Sequence, residues 1–412
     1  MLHHARRDRP GVSAFDGANR AVICAICEAV VTRWIRTAPQ LDELVGELAG
    51  CRAIGFDLEG DSLHHYAEKI CLVQVTGAGV GSWLVDPLAL GDLAPLGPIF
   101  ADASVVKVVH GGANDVTSLR RDFGFTFRTM FDTMIAARLL GDTEVGLQAL
   151  VFNELGVELS KSSQKDDWSK RPLTAKQEAY ALADVAHLMA LAGRLTERLA
   201  AAGRTEWARE EFAELAALQA VAKDRNGPDE FRRIKGSAKL SRRKQAVLRE
   251  LYAWREQRAE AADVPPFKIV GPDVLFELAD GLPTTLAAVG DALAPYRRQS
   301  SQAGAVLAAI ERGLAVPDGE LPAREPAGPP GLTGEARARV ERLRSWRDDQ
   351  AARSQLDPAV VMPNRVIERI AAADPRTADE LAAVEGVRRW RVVAWGPALL
   401  ASITGRAQPA AR

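Results

Sequence analysis

The chain of 412 residues is 47% hydrophobic and 26% charged, the balance of a globular protein rather than a disordered or fibrous one, and it is long enough for two or three domains. Lys plus Arg (53) nearly cancel Asp plus Glu (54), which excludes a uniformly basic surface but not a local basic patch. Four cysteines argue against a disulfide framework, and no apolar run approaches the roughly 18–20 residues needed to cross a bilayer. The expectation is a cytoplasmic monomer with no membrane partner.

Residues 1–30 read as a tail. The apolar stretch Ala21–Cys27 is cut short by Glu28 and is followed by no clear cleavage site, so it is not read as a signal peptide. Strands are expected at Trp34-Ile35, Ala53–Glu59, Ile70–Thr76, Trp83–Val85 and Val105–His110, with a helix at Gln40–Leu48. The chain then turns helical at Asp115–Asp122, Thr133–Leu140, Gly146–Glu154 and Thr174 to about Ala201. Strands followed by helices predict an α/β domain over residues 31–203.

Beyond a connecting helix and basic linker at 204–238, the strand signal disappears and a repeat replaces it. Leu251-Tyr-Ala-Trp254-Arg255 recurs 92 positions on as Leu343-Arg-Ser-Trp346-Arg347, and Leu286-Ala-Ala-Val289 matches Leu381-Ala-Ala-Val384 after a three-residue slip. Two small all-α domains are expected at 239–316 and 334–406, joined by a Pro/Gly-rich linker at 317–333. Trp254 and Trp346, at equivalent positions, are expected in the cores.

Within the α/β domain, FDLEG at Phe56–Gly60 sets Asp57 and Glu59 two apart on a strand, hence on one face. Asp115 opens a helix, and Tyr180 and Asp184 stand at i,i+4 on another, side by side. Each element has an ordinary reading: an exposed strand pair, a helix N-cap, a chance helical spacing. Together they form a set of carboxylates that repel one another unless neutralised, and hard oxygen ligands suit Mg²⁺ or Mn²⁺. Two such ions bind a scissile phosphate, activating water and stabilising the leaving 3′ oxygen. Asp132, in FDT before a helical run, reads as a cap rather than a ligand.

FDLEG, HGGAND at His110–Asp115 and YALAD at Tyr180–Asp184 resemble the three exonuclease motifs of the DEDD superfamily, in its tyrosine-bearing branch. Trp168-Ser-Lys-Arg-Pro-Leu173 and FDTMIAARLLG at Phe131–Gly141 resemble the ribonuclease D family in particular, and the repeats resemble HRDC domains. The resemblance covers about 33–405. It implies an RNase H-like fold with a mixed five-stranded sheet and a 3′→5′ exoribonuclease that releases mononucleotides, with tRNA precursors as the RNA substrate. By position, Asp57, Glu59 and Asp184 would ligate two divalent ions, with Asp57 bridging. Asp115 would support the second ion through water, and Tyr180 would orient the nucleophile. The family more usually has Thr and an aromatic residue where Leu58 and Gly60 stand.

The same resemblance sets His110 near the terminal nucleotide, with a purely structural role as the alternative. Lys161, Gln164, Trp168 and Arg171 form a polar-aromatic cluster for which substrate contact by stacking and phosphate binding is favoured, with packing of Trp168 against the core as the alternative. The segment Lys235–Lys244 carries five basic residues and no acidic one, and is expected to contact phosphates. Gly77-Ala-Gly79-Val-Gly81 precedes a strand and so reads as a hairpin turn rather than a dinucleotide-binding loop. Cys24-x-x-Cys27 lacks the context of a redox or zinc motif. The rival readings are a 3′→5′ DNA exonuclease using the same ions and a non-catalytic nucleic-acid-binding protein retaining the fold.

Overall fold

The structure is a computed structural model and describes residues 32–160, 162–220, 227–296, 301–323 and 334–405. The tail, its two cysteines and Lys161 lie outside the described residues. The chain divides into two units, one of residues 1–59, 70–221 and 332–412, the other of residues 60–69 and 222–331.

The first unit is built on a mixed sheet of β1 (Thr32–Ile35), β2 (Ala53–Gly60), β3 (Ile70–Gly77), β4 (Gly81–Val85), β5 (Val106–Val109) and β6 (Met130–Asp132), in spatial order β1-β4-β3-β2-β5-β6. β1 runs parallel to β4, and β2, β5 and β6 run parallel to one another. β3 and β4 form the antiparallel hairpin expected from GAGVG, with Gly77 opposite Gly81. Six strands stand where five were expected. The extra one is β6, three residues long, which the FDT motif hides because Asp132 also caps the following helix.

Helix α1 (Ala38–Leu48) follows β1, α2 (Ala113–Phe123) follows β5 and α3 (Thr133–Leu140) follows β6. Next come α4 (Leu147–Leu155), α5 (Ala175–Ala186), α6 (Leu188–Ala201) and α7 (Thr205–Ala217). The single long helix expected from Thr174 to Ala201 is two, broken at His187. Every residue of β3 is buried, as a strand covered on both faces should be. Gly55 permits this closeness on β2, since a Cβ there would stand 2.8 Å from Thr76 Cγ2 and 3.2 Å from Met189 Cε.

The second helical repeat belongs to this unit. Its helices α13 (Gly334–Ser354), α14 (Pro358–Val361), α15 (Asn364–Ala373), α16 (Ala378–Ala383) and α17 (Arg389–Thr404) contribute Leu343, Trp346, Ile370 and Leu399 to the same apolar cluster as Phe56, Val108 and Leu191. Trp207 of α7 stacks on Trp390 of α17 with centroids 4.3 Å apart and planes at 19°. Beside them the buried Arg391 guanidinium donates to Glu211 and to the carbonyls of Val360 and Val361.

The first repeat forms its own core. Helices α8 (Arg242–Ala261), α9 (Pro266–Ile269), α10 (Pro272–Gly281), α11 (Leu286–Ala292) and α12 (Ala303–Ala315) pack around Leu251, Trp254, Leu278 and Ile310. The five-helix pattern thus occurs twice, and both tryptophans are buried. Residues 60–69 join this unit: His65 Nδ1 lies 2.7 Å from Asp263 Oδ2, and Tyr66 donates its hydroxyl to Glu256. The basic segment is more committed than expected. Arg242 and Arg243 donate to carbonyls of residues 314–322, and Lys244 bonds Asp280, so only Lys235 and Lys239 remain exposed.

Candidate active site

β2 runs from the core into the site. Ala53–Phe56 are buried, Asp57–Glu59 are half-buried and Gly60 is exposed. Strand alternation sends Asp57 and Glu59 to one face. Helix α5 brings Tyr180 and Asp184 there on consecutive turns, and its start is held by a capping box between Thr174 and Gln177. One carboxylate oxygen from each of Asp57, Glu59 and Asp184 lies within 4.8 Å of the others. The Tyr180 phenol stands one helical turn from Asp184 and favours the ionised form of that carboxylate.

Asp115 approaches from α2. It is the third residue of that helix, and Gly112 rather than Asp115 is the N-cap. Asp132 organises this corner. Its carboxylate accepts from the amides of Gly111 and Gly112 at 3.1 and 2.9 Å and caps α3 through Met134 and Ile135. The His110–Gly112 turn is pulled tight as a result. Gly111 sits at φ 66°, and a Cβ there would come 2.9 Å from Met134 Cε.

The carboxylates disturb each other strongly. Burial pushes the Asp57 carboxyl up to about 6, against a stabilising Leu58 amide, and burial together with Asp57 pushes Asp184 up to about 7. Glu59 is pushed furthest, to about 9, by burial and then by Asp57, Asp184, Asp115 and Asp166. Asp115 is raised well above its ordinary value by burial, Asp57 and Asp132. Burial and the neighbouring carboxylates raise Tyr180 as well, so its hydroxyl keeps its proton. A cluster of oxygen donors that resists ionising together fits a divalent cation, the partner that lets all of them carry charge.

A cavity of about 350 Å³ opens over these groups, lined by Asp57, Tyr180 and Asp184 with Phe56, His110, Met134, Leu147, Gln148 and Gln164. Its size suits a small ligand. His110 and Gln164, expected at the substrate, are therefore on the wall. Leu147, Gln148 and Met134 were not anticipated; the only signal for the first two was their place at the start of α4.

Two of the expected substrate contacts are corrected. Trp168 is 1% exposed and packs behind Tyr180, ring centroids 6.1 Å apart, so no base can stack on it. Arg171 is spent inside the fold. Its guanidinium forks onto Asp86 at 2.7 and 2.8 Å and donates to the carbonyls of Cys71, Trp168 and Lys170. Asp86 is buried, and a buried carboxylate requires such a partner. Lys161 is outside the described residues.

A profile for 3′-5′ exonuclease domains matches residues 32–200, and one for HRDC domains matches residues 244–310 and 336–403. The ribonuclease D of Acidiphilium cryptum is 34% identical over 392 residues, 92% of this chain and 94% of that one. The chain belongs to the ribonuclease D family. The ribonuclease D of Jannaschia sp. is 36% identical over 264 residues, 62% of this chain and 68% of its own. Among solved structures, Escherichia coli RNase D, described as an exoribonuclease involved in structured RNA processing, superposes with a TM-score of 0.69 at 25% identity, over 92% of this chain and all of that one. The catalytic core of RRP6 from Trypanosoma brucei gives 0.60 at 25% identity, over 72% and 85%. Fold and family together make the chain a 3′→5′ exoribonuclease of the ribonuclease D type, with an RNase H-like exonuclease domain and two HRDC domains. Between the first two acids, Leu58 packs its side chain against the apolar core.

Proposed function

We propose that Asp57, Glu59, Asp115 and Asp184 would hold two divalent cations, Mg²⁺ or Mn²⁺. The enzyme then removes nucleoside 5′-monophosphates one at a time from RNA 3′ ends, tRNA precursors being the substrate class. The observation that carries this reading is the convergence of the Asp57, Glu59 and Asp184 carboxylates within 4.8 Å, two of which, Asp57 and Asp184, line a cavity together with Tyr180. Cations bound there would activate water and stabilise the leaving 3′ oxygen.

The side chains do the positioning. Tyr180, protonated and one helical turn from Asp184, offers its hydroxyl to orient the attacking water. It is no base, because burial holds its proton on. His110 faces the cavity as a neutral imidazole, its charged form disfavoured by burial. Its free ring nitrogen accepts a hydrogen bond from a ribose hydroxyl of the terminal nucleotide. Gln164, exposed on the wall, contacts the same nucleotide.

The protein works as a monomer in the cytoplasm; among the described residues no helix is long and apolar enough to cross a membrane. The substrate class is tested by incubating the full chain and Mg²⁺ with a tRNA carrying a 3′ extension. Shortening of the extension with release of nucleoside 5′-monophosphates is expected. An intact extension, under conditions that degrade an unstructured oligoribonucleotide, removes tRNA precursors from the proposal.

A further inference from the structure

Gln74 sits in the middle of β3 with none of its surface exposed, and neither its amide nitrogen nor its amide oxygen has a hydrogen-bond partner. An orphaned buried carboxamide is costly, and an apolar residue of the same shape would avoid that cost. Its neighbours on the strand do not share the problem: the Thr76 hydroxyl donates to Gly81 O and accepts from Ser82. An unmet amide in a strand buried on both faces points to a neighbour that it engages only in the working enzyme.

The sheet shows where that partner is. The Ala78 amide donates to Ala53 O at 3.3 Å, and a Cβ on Gly55 would meet Thr76 Cγ2. Ile54, Phe56 and Leu58 share their face with Val73 and Val75 in one apolar cluster. These contacts set β2 and β3 antiparallel with Gly55 opposite Thr76, and therefore Asp57 opposite Gln74 with both side chains on the active-site face. Residues so paired have Cβ atoms about 4.5–5.5 Å apart, within reach of a long amide. On its other side Gln74 is paired with Leu84, which offers no polar group.

We propose that Gln74 is a positioning residue: its carboxamide holds the Asp57 carboxylate in the orientation that binds a divalent cation. The proposal rests on the reading of Asp57 as a metal ligand. Donors behind metal-binding carboxylates fix their geometry, and losing one typically weakens binding about 10–100-fold.

The test is Mn²⁺ binding to the full-length chain without RNA, measured by calorimetry for wild type, Gln74→Met and Asp57→Ala. Thermal unfolding in EDTA serves as the fold control. Gln74→Met, close in shape, is expected to unfold at or above the wild-type temperature while binding Mn²⁺ at least fivefold more weakly. Its kcat should recover toward wild type at saturating Mn²⁺. Affinity within fivefold of wild type overturns the proposal and leaves the amide satisfied by a buried water. If Gln74→Met does not fold, Gln74→Asn, whose amide is one methylene too short, takes its place under the same criteria. Asp57→Ala separates the two levels. If it binds Mn²⁺ as wild type does, the metal assignment itself fails; if it loses binding while Gln74→Met keeps it, only the role of Gln74 fails.

Discussion

His110 Nδ1 lies 2.9 Å from the hydroxyl of Thr133, which in turn donates its only proton to the Val109 carbonyl 3.1 Å away. The hydroxyl can therefore only accept from the ring, so Nδ1 carries the proton and Nε2 is left with a lone pair. One threonine thus sets the tautomer of a histidine on the cavity wall.

Thr133→Val removes that acceptor and should lower kcat/KM on RNA by about tenfold, the equivalent of one hydrogen bond of about 1.4 kcal/mol. His110→Ala should cost at least as much. Neither should alter Mn²⁺ affinity in the absence of RNA. Steady-state kinetics beside a metal titration checks the pair; unchanged kcat/KM in Thr133→Val would remove the tautomer argument.

The acidic cluster makes the metal-free protein sensitive to pH in a defined direction. Asp57, Asp184 and Glu59 have folded-state values of about 6, 7 and 9, above the roughly 4 of an unfolded carboxyl. Between those limits the folded state binds more protons, so its stability falls as pH rises from about 4 to 9. In EDTA the melting temperature should drop between pH 5.5 and pH 8.5, and Mg²⁺ should raise it more at the higher pH. Asp57→Asn should flatten this slope in EDTA while abolishing hydrolysis. A wild-type melting temperature in EDTA that is independent of pH would contradict the burial of these groups.

The corrected residues carry a separate expectation. Arg171→Ala leaves the buried Asp86 carboxylate without its bidentate partner, a loss of about 3–5 kcal/mol for a buried pair. The variant should unfold earlier on chemical denaturation while binding RNA with wild-type affinity at low temperature. Weakened RNA binding with unchanged stability would return Arg171 to the substrate.

The second HRDC domain should behave as part of the catalytic unit. Trp390→Ala removes the stack on Trp207 and should destabilise the protein by about 3–5 kcal/mol. Truncation after residue 331 exposes the apolar face that Trp346, Ile370 and Leu399 cover, and should yield aggregated rather than active protein. A soluble, fully active truncation would show that the shared core is dispensable.

Much of this was legible in the residues. Asp57, Glu59, Tyr180 and Asp184 were legible only as a set, since each spacing alone has an ordinary reading, and Asp132 was readable as a cap from its place before a helical run. Arg171 and Trp168 were misplaced because much of what they pack on lies far away in sequence: Asp86 is 85 residues from Arg171, and Trp168 shares a buried cluster with Leu72 and Leu84 of the sheet. Gln74 did leave a signal, a lone amide within ICLVQVT, but its meaning depends on the register of β2 against β3. The shared core of the second repeat was hidden for a similar reason. Helical periodicity says that Trp390 is apolar-faced but not that Trp207 is what it faces.

The central claim, metal-dependent digestion of RNA from its 3′ end, is most directly tested on 5′-labelled RNA and DNA of the same sequence. The full-length protein is added with Mg²⁺, Mn²⁺ or EDTA, and products are resolved to single nucleotides over time. The expected result is a ladder of labelled RNA shortening from the 3′ end with either ion, none in EDTA, and slower loss of DNA. RNA that stays full length with both ions while remaining bound, or that is degraded equally in EDTA, would contradict it.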